Sequence, residues 1–174
     1  RPQTIHAFGC LDPALYRIDY PAPGHPRLAH KALEALLAAG WSAQADDKRG
    51  LDHGAWVPML HLFPQADVPV FQVSLPSRLD AASAWALGEA LAPLADDGVL
   101  IVGSGSLTHN LFAMTRGARA ASAPGWVTDF VDWVHARAGA GEAEALADWT
   151  RAPYAKENHP TPEHYLPLPF AAGA

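Results

Sequence analysis

VPVFQVSLPSRLDAASAWALGEALAPLADDGVLIVGS, residues 68–104, decides the fold expected of this chain. It opens with a Val- and Phe-rich run of strand length (68–75), passes through a helical pattern (80–98) and ends in the apolar run VLIVGS (99–104). Branched and aromatic side chains suit a pleated, half-buried surface, so both runs read as strands. Strand, helix, strand order implies a parallel pair joined by a right-handed crossover, with both strands central. The expected class is therefore α/β, a single domain (1–174) with a central, largely parallel sheet flanked by helices.

Outward from this stretch the pattern stays helical. LAHKALEALLAAG (28–40) places Leu28, Ala32, Ala35, Leu36 and Ala39 near one stripe and finishes on Gly40, a usual residue past a helix C-terminus. DHGAWVPMLHLFP (52–64) is helical in its middle, and VTDFVDWVHARAG (127–139) and EAEALADW (142–149) predict further helices. TPEHYLPL (161–168) predicts a short helix with Thr161 as cap and Pro162 in the first position. The small residues of GARAASAPG (117–125) suit a mobile loop.

With 174 residues, 49% of them apolar and 17% charged, the chain is long enough for one sizeable core. A net charge of -6 and only 12 basic residues argue against nucleic acid and anionic membranes as partners. No apolar run approaches the ~20 residues of a membrane span, and the opening RPQTIH lacks the apolar region of a signal peptide. Cys10 is the one cysteine and cannot form an internal disulfide, so a cytoplasmic setting is expected. The opening without methionine and the closing LPLPFAAGA (166–174) lead us to expect a domain incomplete at both ends.

Nine histidines stand out, because imidazole is both a common metal ligand and the side chain that titrates near neutrality. His109 sits in GSGSLTHNL (103–111), just past the second apolar run, where a glycine-rich turn lets backbone approach a ligand closely. The turn lacks the third glycine of a dinucleotide fingerprint, and it is neither a P-loop nor a GxSxG elbow, so phosphate cradling is not expected. On spacing alone, His109 is either a site residue or a structural histidine near a helix start. His25, His30 and His135 have solvated contexts, and His61 in MLHLFP suits a core position. His6, His53, His159 and His164 stand beside Gly, Pro or a cap, at element ends where function concentrates. His159 and His164 are five apart with two prolines between, so they lack the i, i+4 geometry of a zinc-binding helix and at most one should face a given metal.

The segments TIHAFG (4–9), YPAPG (20–24), LDHGAWVPM (51–59), VPVFQVSL (68–75), GSGSLTHNL (103–111) and NHPTPEHYLPL (158–168) together resemble the class III extradiol ring-cleavage dioxygenases, in their 4,5-DOPA dioxygenase-like branch. The resemblance implies one non-haem divalent metal, Fe(II) or Zn(II), and a small DOPA-like catechol cleaved with O2. Carried over by position, it implies that His164 is a metal ligand, that His109 is the catalytic acid/base, and that His53 and His6 border the substrate pocket. Ring cleavage needs a metal beside the catechol and O2, a base for a phenol proton and an acid later on. An imidazole of ordinary pKa, ~6.5, can do both proton steps. His164, two residues past Pro162, is expected to be fixed by a first helical turn, whereas His159 precedes Pro160 and is biased to extended backbone; His164 and not His159 is therefore the expected ligand.

The chain departs from the family pattern in three places. It has no SHG motif, none of its histidines precedes a tryptophan, and Ala7 and Cys10 stand where the family reads TIHDFGG. Roughly a quarter to a third of a domain is thus expected to be absent, on ordinary domain sizes. The departures leave an alternative, a metal-poor, non-enzymatic relative that binds a small aromatic ligand. A zinc-hydrolase reading has no carboxylate in a general-base motif to support it.

Overall fold

Proline or glycine marks several of the helix ends. The computed structural model describes residues 1–9, 11–114 and 122–174, and these form two units, Arg1–Ser74 and Leu75–Ala174. Cys10 and most of the small-residue stretch expected to be a mobile loop, residues 117–121, lie outside the described residues.

In the first unit α1 spans Pro26–Ala38 and α2 spans His53–Leu62. Helix α1 starts two residues earlier than the apolar stripe predicts, because Pro26 suits the first position and the His25 side chain accepts a bond from the Leu28 N–H at 3.2 Å. Past its end, Gly40 takes the left-handed conformation, φ 83°, that a side chain disfavours. Helix α2 buries Trp56 and Met59, which join Tyr20, Ala22, Leu51 and Ala66 in the unit's core. His61 falls on the opposite face and is exposed, so it is not the core residue that its apolar neighbours suggest.

In the second unit α3 spans Ala81–Leu91, α4 Gly125–Gly139, α5 Ala143–Ala147, α6 Ala155–Asn158 and α7 Pro167–Gly173. The helix expected over 80–98 stops at Leu91 and continues as a 3-10 turn over Ala92–Asp97, because Pro93 has no N–H to give an α-helical ladder. Helix α3 lies on α7 with very close backbones: a Cβ on Gly88 would collide with the Phe170 carbonyl, and one on Gly173 with that of Trp85. The helix expected over 161–168 is instead a single turn, with the Tyr165 and Leu166 N–H groups on the Pro162 carbonyl, and α7 begins only at Pro167.

Asp80 caps α3, its Oδ1 accepting from the Ser83 N–H at 2.7 Å, and the Ser83 side chain, together with that backbone bond, holds its carboxyl below the usual value of 3.8. Asp80→Ala is expected to lower stability by about 1 kcal/mol at neutral pH. The folded pKa is depressed, so the ionised cap's contribution is present above pH 3.8 and is lost as pH falls through the lower folded value. Urea titrations of both proteins at pH 7 and pH 3 check this, and the gap between them should close in acid.

The expected central parallel sheet is not present. Among the described residues the one strand pairing is an isolated parallel bridge, Thr4 to Leu51, with its two bonds at 2.8 Å. Residues 69–76 and 99–104 belong to no helix and to no ladder. In the first, Pro69 lacks an N–H and Val70 donates to the Pro23 carbonyl in a loop. In the second, Leu100 is 68% exposed and the Gly103 backbone abuts the Pro167 carbonyl of α7. Side-chain propensity reports fit to a pleated surface and cannot supply a hydrogen-bonding neighbour. The α/β expectation is therefore corrected to a helical architecture with irregular connectors.

Candidate active site

Two loops of the second unit carry the site. The turn 105–110 is tied to the segment 157–164 by hydrogen bonds. Ser106 N–H donates to the His164 carbonyl and His109 N–H to the Asn158 carbonyl, each at 2.8 Å. The His159 Nε2–H donates to the Leu107 carbonyl, also at 2.8 Å. Asn158 is fully buried and anchors its segment by giving its side-chain amide to the Trp126 and Tyr154 carbonyls. Held in this register, the imidazoles of His109 and His164 stack face to face, centroids 3.4 Å apart and planes 9° apart. The sequence-predicted acid/base and ligand are thus adjacent.

The glycine reading changes. Gly105 is needed because the His164 carbonyl lies 2.5 Å, and Pro167 3.0 Å, from where a Cβ would be. It makes room for the other loop of the site rather than for a ligand. Gly105→Val is expected to lower stability by about 1–3 kcal/mol through overpacking, seen as a fall in the urea midpoint. An unchanged midpoint would show that the two loops do not approach this closely.

His159 differs from its sequence reading. It does have the extended-side backbone expected before a proline, φ -131° and ψ 85°, but it is only 2% exposed and boxed by Phe130, Trp149 and Tyr165, with centroids 5.5–5.6 Å away. Burial lowers its pKa below 6.5, against the Leu107 bond and together with the neighbouring His109 and His164. Its Nδ1 is buried without a hydrogen-bond partner. No local pattern around His159 signals this burial, because Phe130 and Trp149 reach it from other elements of the fold.

His164 itself is exposed, at the turn before α7, beside a crevice of about 190 Å³ whose lining includes Gly105, Leu107, Tyr165 and Pro167. In the first unit His6 and His53 share one aromatic neighbour, Phe8, at 5.9 and 5.7 Å. The His6 Nε2–H donates to the Ile18 carbonyl at 2.8 Å, and its ring also meets Trp56 and Tyr16. His53 opens α2 and is exposed. His30 and His135 are solvated as expected, and Ala7 is exposed.

A metal held by imidazoles needs in-plane lone pairs aimed at one point, at about 2.0–2.1 Å for zinc. The stacked rings of His109 and His164 direct theirs side by side and do not form a two-ligand clamp. His159 has the form of a metal-bound imidazole, one N–H on a backbone carbonyl and the other nitrogen open. No group of three or more His, Cys, Asp or Glu side chains among the described residues is placed to hold an ion. The residues fit as contributors of imidazole nitrogen and do not complete a coordination sphere.

The whole chain, residues 1–174, matches the family model for the catalytic LigB subunit of aromatic ring-opening dioxygenase. The chain belongs to the LigB family. Among its relatives are proteins named 4,5-DOPA dioxygenase extradiol from Beta vulgaris, 44% identical over 98% of this chain, and from Escherichia coli K12, 38% identical over 99%. The chain spans 64% of the length of each. A crystal structure of an uncharacterized Escherichia coli K12 protein, 34% identical, superposes on all of this LigB chain and 70% of its own length with a TM-score of 0.81. Extradiol dioxygenases of the LigB family use a non-haem metal. No helix among the described residues is long and apolar enough to cross a membrane.

Proposed function

We propose that this LigB-family protein opens the aromatic ring of a small, DOPA-like catechol with O2, in the cytoplasm, with Fe(II) or Zn(II) as its metal. The observation that carries the proposal is the stacked His109–His164 pair, held by backbone bonds from both loops. When bound, the metal supplies the Lewis acidity that lets catechol and dioxygen react side by side. His109 takes a catechol hydroxyl proton on a ring nitrogen and returns it as the ring opens, the role of a positioned general acid/base. His164, exposed beside the crevice, is the metal ligand that the motif implies, and the motif also implies that His6 and His53, which pack on Phe8, border the substrate pocket.

His159 carries a second reading of the ligand, because its buried Nδ1 has no hydrogen-bond partner. In that reading His164 faces the catechol with His109. The missing SHG motif and the Ala7 and Cys10 changes leave another alternative, a metal-poor relative that binds a small aromatic ligand. Oxygen uptake over a panel of catechols with added Fe(II), together with elemental analysis, separates the possibilities. Uptake with a yellow ring-opened product supports the dioxygenase. Ligand binding without uptake or bound metal supports the non-enzymatic relative.

A further inference from the structure

Asn110 follows the proposed acid/base directly, and its side chain is fully engaged. Its Nδ2 donates to the Glu157 carbonyl at 2.7 Å, and its Oδ1 accepts from the Phe112 and Ala113 N–H groups at 3.0 and 3.1 Å. The amide can only face this way, because a flip would set N–H against N–H and oxygen against oxygen. His109 N–H bonds the Asn158 carbonyl, so two consecutive donors in one loop grip two consecutive carbonyls in the other. Without the Asn110 bond, one bond would hold the His109 backbone to the opposite loop on this side, leaving it free to rotate and swing the ring.

We propose that Asn110 is a positioning residue that fixes the His109 imidazole in register against His164. The catalytic part of this inference rests on the dioxygenase reading; the geometric part does not. Phe112 and Leu111, both exposed, are displayed by the same Asn110-centred turn, so the side chain shapes the chain on both sides of itself.

Two variants separate its bonds. Asn110→Asp keeps the acceptor for Phe112 and Ala113 but sets a carboxylate oxygen against the Glu157 carbonyl. Asn110→Ser keeps a short acceptor for the turn and cannot reach Glu157. The first readout is the ring-proton NMR shifts of His109 and His164 in the metal-free protein, assigned with His109→Gln and His164→Gln. Stacking should move these signals upfield in the unsubstituted protein, and both Asn110 variants should return them toward free imidazole while Phe130 and Tyr165 signals stay in place. The second readout is single-turnover ring opening with Fe(II) and saturating catechol, expected to fall about 10- to 100-fold, as for a reacting group displaced by about 1 Å. KM should stay within about threefold, because binding is not the step affected.

Unchanged ring shifts in both variants, or no upfield shift in the unsubstituted protein, would overturn the proposal. So would unfolding of both variants, since Asn110 would then hold the fold rather than the ring. If the shifts behave as expected and no protein opens a catechol, the dioxygenase reading fails and the positioning role stands.

Discussion

Replacing His109 with Gln is expected to slow turnover about 10²–10⁴-fold, the range for losing a positioned proton-transfer group. The loss should fall in kcat, with metal content and catechol binding nearly unchanged. Glutamine keeps the backbone bond from residue 109 to the Asn158 carbonyl, so the two loops remain tied. A merely structural His109 predicts a different pattern, a stability loss of about 1 kcal/mol with little kinetic defect. Loss of metal would instead make it a ligand. Metal content, melting temperature and single-turnover rate measured on one protein separate the three.

Removing the ligand of the 158–164 segment is expected to abolish metal retention. On the motif that residue is His164, and His164→Ala loses the metal while His159→Ala keeps it. On geometry His159 competes, since its Nε2–H is committed to Leu107 and its Nδ1 is open. His159→Ala also leaves a hole between Phe130, Trp149 and Tyr165 and should lower stability. His159→Asn, which keeps a polar group in the box, is therefore the fairer comparison. Elemental analysis of His164→Ala beside His159→Asn assigns the ligand, and metal retained by the first but not the second moves the assignment to His159.

How far the sequence reveals this molecule varies from element to element. Helical spacing located α1 and α4, because amphipathic stripes and flanking Gly or Pro are local signals. Pro93 marked the break in the helix after Leu91, but the continuous apolar pattern masked it. Residues 68–75 and 99–104 have strand composition without forming a sheet, because pairing depends on a neighbour that composition does not specify. In the site, THNL and PTPEH marked His109 and His164, and the two do meet. Burial of His159 was not legible, because it depends on Phe130 and Trp149 arriving from α4 and the 149–151 turn. The purpose of Gly105 was likewise a tertiary matter, the approach of the His164 carbonyl.

The central claim is that the His109–His164 site serves dioxygen-dependent ring opening. Its most direct test is a reaction of the Fe(II)-supplemented protein with a catechol under ¹⁸O-labelled dioxygen, followed by mass spectrometry of the product. The account predicts a ring-opened product carrying both labelled oxygen atoms before exchange with water, formed by the unsubstituted protein and about 10²-fold or more slowly by His109→Gln. A product carrying no label, or labelled product formed equally fast by His109→Gln, would contradict it.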